Sequence, residues 1–161
     1  HKALDLAAPG DVVVVDGGGD LTNSLIGELM ITHARTRGIA GIVLYGAVRD
    51  SAWIRENDLP IYAAGISHRG PYKDGPGEIN VPTVIGGMVP APGDLGIGDD
   101  AGILCVPLDH AEEIYAAAHK KHAVEEKKMA AIEQGKDDRS WIDATLARLG
   151  CVNEPCCRRG A

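Results

Sequence analysis

Arg49 and Asp50 stand side by side at the end of an unbroken apolar run, Gly41-Ile42-Val43-Leu44-Tyr45-Gly46-Ala47-Val48. A guanidinium can clamp a planar carboxylate, and a carboxylate beside it can hold a hard cation such as Mg²⁺. An Arg-Asp dipeptide alone is most often ordinary surface charge in a loop. The run before this one reads as a buried strand, which places the pair at the carboxyl end of a strand, where α/β proteins bind ligands. A second group lies upstream in Gly27-Glu28-Leu29-Met30. If a helix starts there, its free N–H groups and positive dipole end form an anion site, and Gly27 lets a small carboxylate approach the backbone. Gly27 as a close-packing point inside a helix reads equally well.

Other clusters carry less chemistry. Gly17-Gly18-Gly19 follows a strand and precedes a helix, yet it is neither G-x-G-x-x-G nor a P-loop, so nucleotide binding is not expected. His119 and His122 share a helix face with no further ligand near in sequence, which suits two solvated histidines. His33 reads as a core-edge residue. The basic loop His68-Arg69-Gly70-Pro71-Tyr72-Lys73 could steer an anionic substrate. Cys105 reads as a small buried strand residue, and Cys151, Cys156 and Cys157 lack the paired spacing of a zinc site. Four thiols of this kind suit a reducing, cytoplasmic setting.

The elements that must position these residues follow from pattern. A short strand over residues 12–16 precedes a helix that starts between Thr22 and Gly27 and ends at Arg37-Gly38. With the Gly41–Val48 strand this makes a parallel β-α-β unit. A short helix over 51–56 and a strand over 61–64 come next. Glycine and proline then dominate residues 65–107, where runs at 81–85, 88–89, 95–97 and 103–106 suggest short antiparallel strands. Asp109 is a candidate N-cap for a long helix from His110 to about Gln134, and a last helix covers 140–149. The expected organisation is a single α/β domain over residues 1–150 and a flexible tail over 151–161, with a segment before residue 1 lacking, since the chain opens on His1. The net charge of −7 argues against binding a nucleic-acid backbone, and no apolar run reaches the ~20 residues of a membrane span.

The ordered series Val12–Asp16 with Gly17-Gly18-Gly19, Leu25-Ile26-Gly27-Glu28-Leu29-Met30, Gly46-Ala47-Val48-Arg49-Asp50, Arg69-Gly70-Pro71 with Gly75-Pro76-Gly77-Glu78-Ile79-Asn80-Val81-Pro82, and Pro92-Gly93-Asp94 with Asp99-Asp100-Ala101-Gly102 resembles the RraA-like family. That family includes aldolases for 4-hydroxy-4-methyl-2-oxoglutarate and 4-carboxy-4-hydroxy-2-oxoadipate that also decarboxylate oxaloacetate. The resemblance implies a compact β/β/α sandwich of the swivelling-domain type, assembled as a homotrimer or dimer of trimers with sites between subunits. It implies a divalent metal, Mg²⁺ or Mn²⁺, held by Asp50. Arg49 would bind substrate and stabilise the pyruvate enolate, Gly27, Glu28, Leu29 and Met30 would hold the pyruvoyl carboxylate, and Glu28 would orient a water molecule. Lys73 would meet the distal carboxylate, and Glu125 or Glu126 would reach a neighbour's site. Two features depart from the family: its aldolases tend to carry an acid where Trp53 stands, and its usual N-terminal segment is absent. Ribonuclease E regulators of the same family lack the intact Arg-Asp pair, which this chain keeps, so a binding protein ranks below the lyase as the alternative, alongside a lyase for a different sugar acid.

Overall fold

The computed structural model describes residues 1–151; the cysteines at 156 and 157, and all of the expected 151–161 tail but its first residue, lie outside them. By contacts the chain divides into two units, His1–Glu112 and the part from Glu113 onward, each described by itself.

The first unit is organised around β3, Gly41–Val48, whose residues are buried at every position except Tyr45. An eight-residue apolar run can sit that way only if both sheet faces are covered. All its neighbours are parallel to it. β1 (Val12–Asp16) pairs with residues 41–45, and β2 (Ser24–Ile26) continues along the same edge against residues 47–48. β4 (Ile61–Ile66) takes the other edge along residues 42–48. This is the α/β architecture with a parallel β-α-β unit that the sequence suggests.

α2 (Glu28–Thr36) turns Ile31 and Ala34, three residues apart, onto the sheet, and both are wholly buried. They join Ile42, Leu44, Val48, Ile39 and Leu59 in one core, to which α1 (Lys2–Leu6) adds Leu4. His33 is half exposed and bonds Asp5 at 3.1 Å, tying α2 to α1. α3 (Ser51–Arg55) is held to the same core by Trp53 and Ile54. β5 (Leu95–Asp99) and β6 (Gly102–Val106) form a separate antiparallel pair. Its β5 lies against β4 through Gly98, where an added Cβ would come 2.6 Å from the Tyr62 hydroxyl, itself a donor to the Asp99 carbonyl at 3.1 Å.

Four expectations are corrected. α2 starts at Glu28 rather than before Gly27, because residues 24–26 are drawn out as β2. The apolar runs at 81–85 and 88–89 make only one isolated bridge, Ile85 to Met88, since Gly86 and Gly87 form a tight turn between them. Asp109 lies inside a 3₁₀ turn, Leu108–His110, that follows Pro107, so it is not the cap of α4 (Ala111–Glu133). Cys105 is half-buried rather than buried, with its thiol 3.4 Å from the Asp94 carboxylate; partial burial and that carboxylate push its pKa up.

The second unit holds most of α4 and then α5 (Ser140–Arg148), joined by Lys128 stacking over Trp141. His119 contacts Tyr115 and His122 pairs with Glu126 at 3.6 Å, both on the exposed surface of α4. No helix among the described residues is long and apolar enough to cross a membrane.

Candidate functional site

The end of β3 is fixed before its side chains do anything. The Arg49 N–H donates to the Ile26 carbonyl at 3.0 Å, extending the β2–β3 pairing by one residue. Asp50 then takes a left-handed conformation, φ 56° and ψ 38°, and its carbonyl accepts the Ile54 N–H at 3.0 Å to close the first turn of α3. Aspartate is among the few side-chain-bearing residues that enter this region at modest cost. Trp53 and Ile54, anchored in the core, hold the turn there. Trp53 is here a structural anchor.

This backbone turn sends the Asp50 carboxylate towards α2. Its Oδ2 accepts the Glu28 N–H at 2.9 Å, capping a helix from across the sheet. Arg49 Nε lies 3.7 Å from the same oxygen. With side chains 42% and 40% exposed, the ion pair is solvent-screened and contributes little stability. Its consequence is positional: a guanidinium, a carboxylate and a helix N-terminus meet at one place.

Gly27 lies at that place. It is buried and its backbone is extended, φ −154°, a conformation open to any residue. Space is what selects glycine. An added Cβ would run into Asp50 Oδ2 and lie 2.6 Å from Arg49 Cγ and 2.8 Å from Arg49 Nε. Gly27→Ala is therefore expected to displace both side chains and to cost about 1–3 kcal/mol, the range for overpacking a filled site. Denaturant unfolding measures this, and an unchanged midpoint would mean that the two side chains move aside freely.

Of the amides expected to receive a carboxylate, Glu28's is already taken by Asp50. Those of Leu29 and Met30, in the first turn, have no hydrogen-bond partner among the described residues. Leu29 is 82% exposed and Met30 half-buried, so this turn faces outward. The Glu28 side chain is exposed beside them. No group of three or more His, Cys, Asp or Glu that could hold a metal occurs among the described residues. A cation at Asp50 would thus rely on one carboxylate plus water and ligand oxygens, a mode Mg²⁺ accepts. Among the described residues Asp50 Oδ1 makes no hydrogen bond that would compete, so the residues fit.

Gly27, Glu28, Arg49 and Asp50 are thus brought together, with Leu29 and Met30 behind them. Lys73 is exposed in the loop beyond Gly70, and Glu125 and Glu126 belong to the second unit. Sequence reasoning missed Ser24 and Ser67, which hold the turn over Arg49: Ser24 Oγ donates to the Arg69 carbonyl at 2.7 Å, and Ser67 Oγ to the Thr22 carbonyl at 2.7 Å. A single serine in a three-residue strand carries no pattern that would reveal this.

The chain matches the family model RraA-like, described as Aldolase/RraA, over residues 1–105. It is 40% identical over 131 residues to a protein of Halalkalibacterium halodurans, covering 81% of this chain and 62% of that one. A protein of Ectopseudomonas mendocina is 39% identical over 106 residues, with 66% and 65% covered. The names of both give 4-hydroxy-4-methyl-2-oxoglutarate aldolase as a provisional activity. Among solved structures, a Streptomyces coelicolor protein described as an unusual member of the RNase ES inhibitor RraA family superposes with a TM-score of 0.71 at 32% identity, over 80% of this chain and 66% of that one. The chain spans a little under two thirds of the length of the curated relatives it matches.

Proposed function

This chain belongs to the RraA-like family, and on that premise we propose that it is a divalent-metal-dependent pyruvate aldolase. It cleaves 4-hydroxy-2-oxo di- or tricarboxylic acids to pyruvate and an oxo acid, and decarboxylates oxaloacetate. The observation that carries the reading is the convergence of Asp50 Oδ2, Arg49 Nε and the Glu28 N–H on the spot that only glycine at position 27 leaves open. The aldolase names of two relatives support it.

Substrate binds with its pyruvoyl carboxylate on the Leu29 and Met30 amides, at the positive end of α2. Arg49 lies alongside the 2-oxo group. In the aldol cleavage the C4 hydroxyl loses its proton, the C3–C4 bond breaks, and its electron pair moves into a pyruvate enolate while C4 becomes a carbonyl. Glu28, exposed at the lip, takes that proton directly or through water and returns one to C3. In oxaloacetate the same enolate is released as CO₂ leaves. Arg49 stabilises the oxygen on which charge develops in both reactions. A Mg²⁺ or Mn²⁺ held by Asp50 supplies Lewis-acid polarisation of the 2-oxo group. Lys73 is placed to meet a distal carboxylate only if its loop folds inward on binding.

We place the protein in the cytoplasm, in keeping with the free thiols of Cys105 and Cys151, and assign it small oxo-acid substrates rather than nucleic acid or membrane. We also propose a homotrimer or dimer of trimers with sites shared between subunits. Light scattering should return a mass of three or six chains, and a strict monomer would contradict shared sites. The activity itself is tested by release of pyruvate from oxaloacetate and from 4-hydroxy-2-oxo acids, with and without EDTA.

A further inference from the structure

We propose that Ser24 is a positioning residue for Arg49, acting through the carbonyl of Arg69. Ser24 is the one buried polar residue among the described residues, with 1% of its surface exposed. A buried hydroxyl is costly unless bonded, so its bonds show what the position does. Both of its donors converge on one acceptor. The Ser24 N–H reaches the Arg69 carbonyl at 2.9 Å and the Ser24 hydroxyl reaches it at 2.7 Å.

The second half of the argument is where that carbonyl leads. The residue after Arg69 is Gly70, and an added Cβ there would lie 3.7 Å from Arg49 Nη1, in ordinary van der Waals contact. The 67–70 turn therefore runs beside the guanidinium. A second tether holds the near end of the turn: the Ser67 N–H donates to the Val48 carbonyl at 2.9 Å, and the Ser67 hydroxyl to the Thr22 carbonyl at 2.7 Å. β2 thus grips Arg49 twice. Ile26 holds its backbone, and Ser24 holds the turn that runs beside its side chain. An arginine fixed in this way loses its rotamer freedom on folding rather than when substrate arrives, which is preorganisation in the physical sense.

The inference rests on Arg49 as the enolate clamp, and its test separates the two. Ser24→Ala and Ser67→Ala are each treated with an arginine-selective dicarbonyl reagent, and modification of every arginine is followed by peptide mass spectrometry. Arg49 should react several-fold faster in both variants, with Arg35 and Arg37 on α2 and its end unchanged; an unaltered Arg49 rate in a folded variant overturns the proposal. Ser67 is only partly buried, so its variant serves if Ser24→Ala does not fold. In the pyruvate-release assay Ser24→Ala should lower kcat about tenfold, the scale of one hydrogen bond, with KM little changed. In an Arg49→Lys background it should add almost nothing, and a full additive loss would mean a merely structural role. If the unaltered protein releases no pyruvate, the aldolase reading fails while the labelling rates still decide the role of Ser24.

Discussion

Asp50→Ala is expected to abolish the divalent-metal-dependent release of pyruvate, the largest effect of any single substitution in this chain. Asp50 is asked to do three things from one position. Its backbone supplies the left-handed residue that starts α3, its Oδ2 caps α2 at the Glu28 N–H, and its Oδ1 stays clear for a cation. Alanine removes the last two and strains the first. Asp50→Asn separates these roles, because asparagine tolerates the same backbone region and keeps an acceptor while losing the charge. Both variants should lose metal-dependent turnover, and the asparagine variant should keep a near-native unfolding midpoint. No group of three or more His, Cys, Asp or Glu that could hold a metal without Asp50 occurs among the described residues, which sharpens the expectation. Retained activity at saturating Mg²⁺ or Mn²⁺ would sink the assignment of Asp50 as the ligand.

Arg49→Ala is expected to cost about 3–4 kcal/mol of transition-state stabilisation, roughly 10²–10³ in kcat, on the scale of a lost oxyanion donor. The effect should fall on kcat because the charge that Arg49 meets exists only as the carbon–carbon bond breaks. Arg49→Lys should restore little. The guanidinium reaches its position with Cγ and Nε packed over Gly27 and Nη1 beside the Gly70 turn, a planar fit that a flexible ammonium does not reproduce. A change confined to KM would reduce Arg49 to a substrate anchor.

The central strand and the Arg-Asp pair at its end were legible in the sequence because eight apolar residues in a row leave few alternatives to a doubly covered strand. α4 was legible for the opposite reason, a long polar helix-forming stretch that begins just after a proline. β2 was not, since three residues carry no period, and the segment reads as the front of the helix that follows. With β2 unseen, the contact from Asp50 to Glu28, twenty-two residues back in sequence, had only the family resemblance to suggest it. That bond depends on β2 and β3 lying in register, which is tertiary information. The same holds for Gly27, which reads equally well as a helix-packing glycine until Arg49 and Asp50 are seen over it. Trp53 shows a different limit: its type was evident, but only its packing on the core shows that it anchors α3. At residues 81–89 the apolar runs were real, yet Pro82, Gly86 and Gly87 break them before a ladder can form.

The central claim is that Arg49 and Asp50 form a metal-assisted enolate site. It is tested most directly by following pyruvate release, coupled to lactate dehydrogenase, from oxaloacetate and a panel of 4-hydroxy-2-oxo acids. Turnover should appear with Mg²⁺ or Mn²⁺, vanish with EDTA and return on adding metal, and be lost in Asp50→Asn. Pyruvate release that is indifferent to EDTA and to Asp50, or no release from any of these substrates, would contradict it and leave a binding protein built on the same fold.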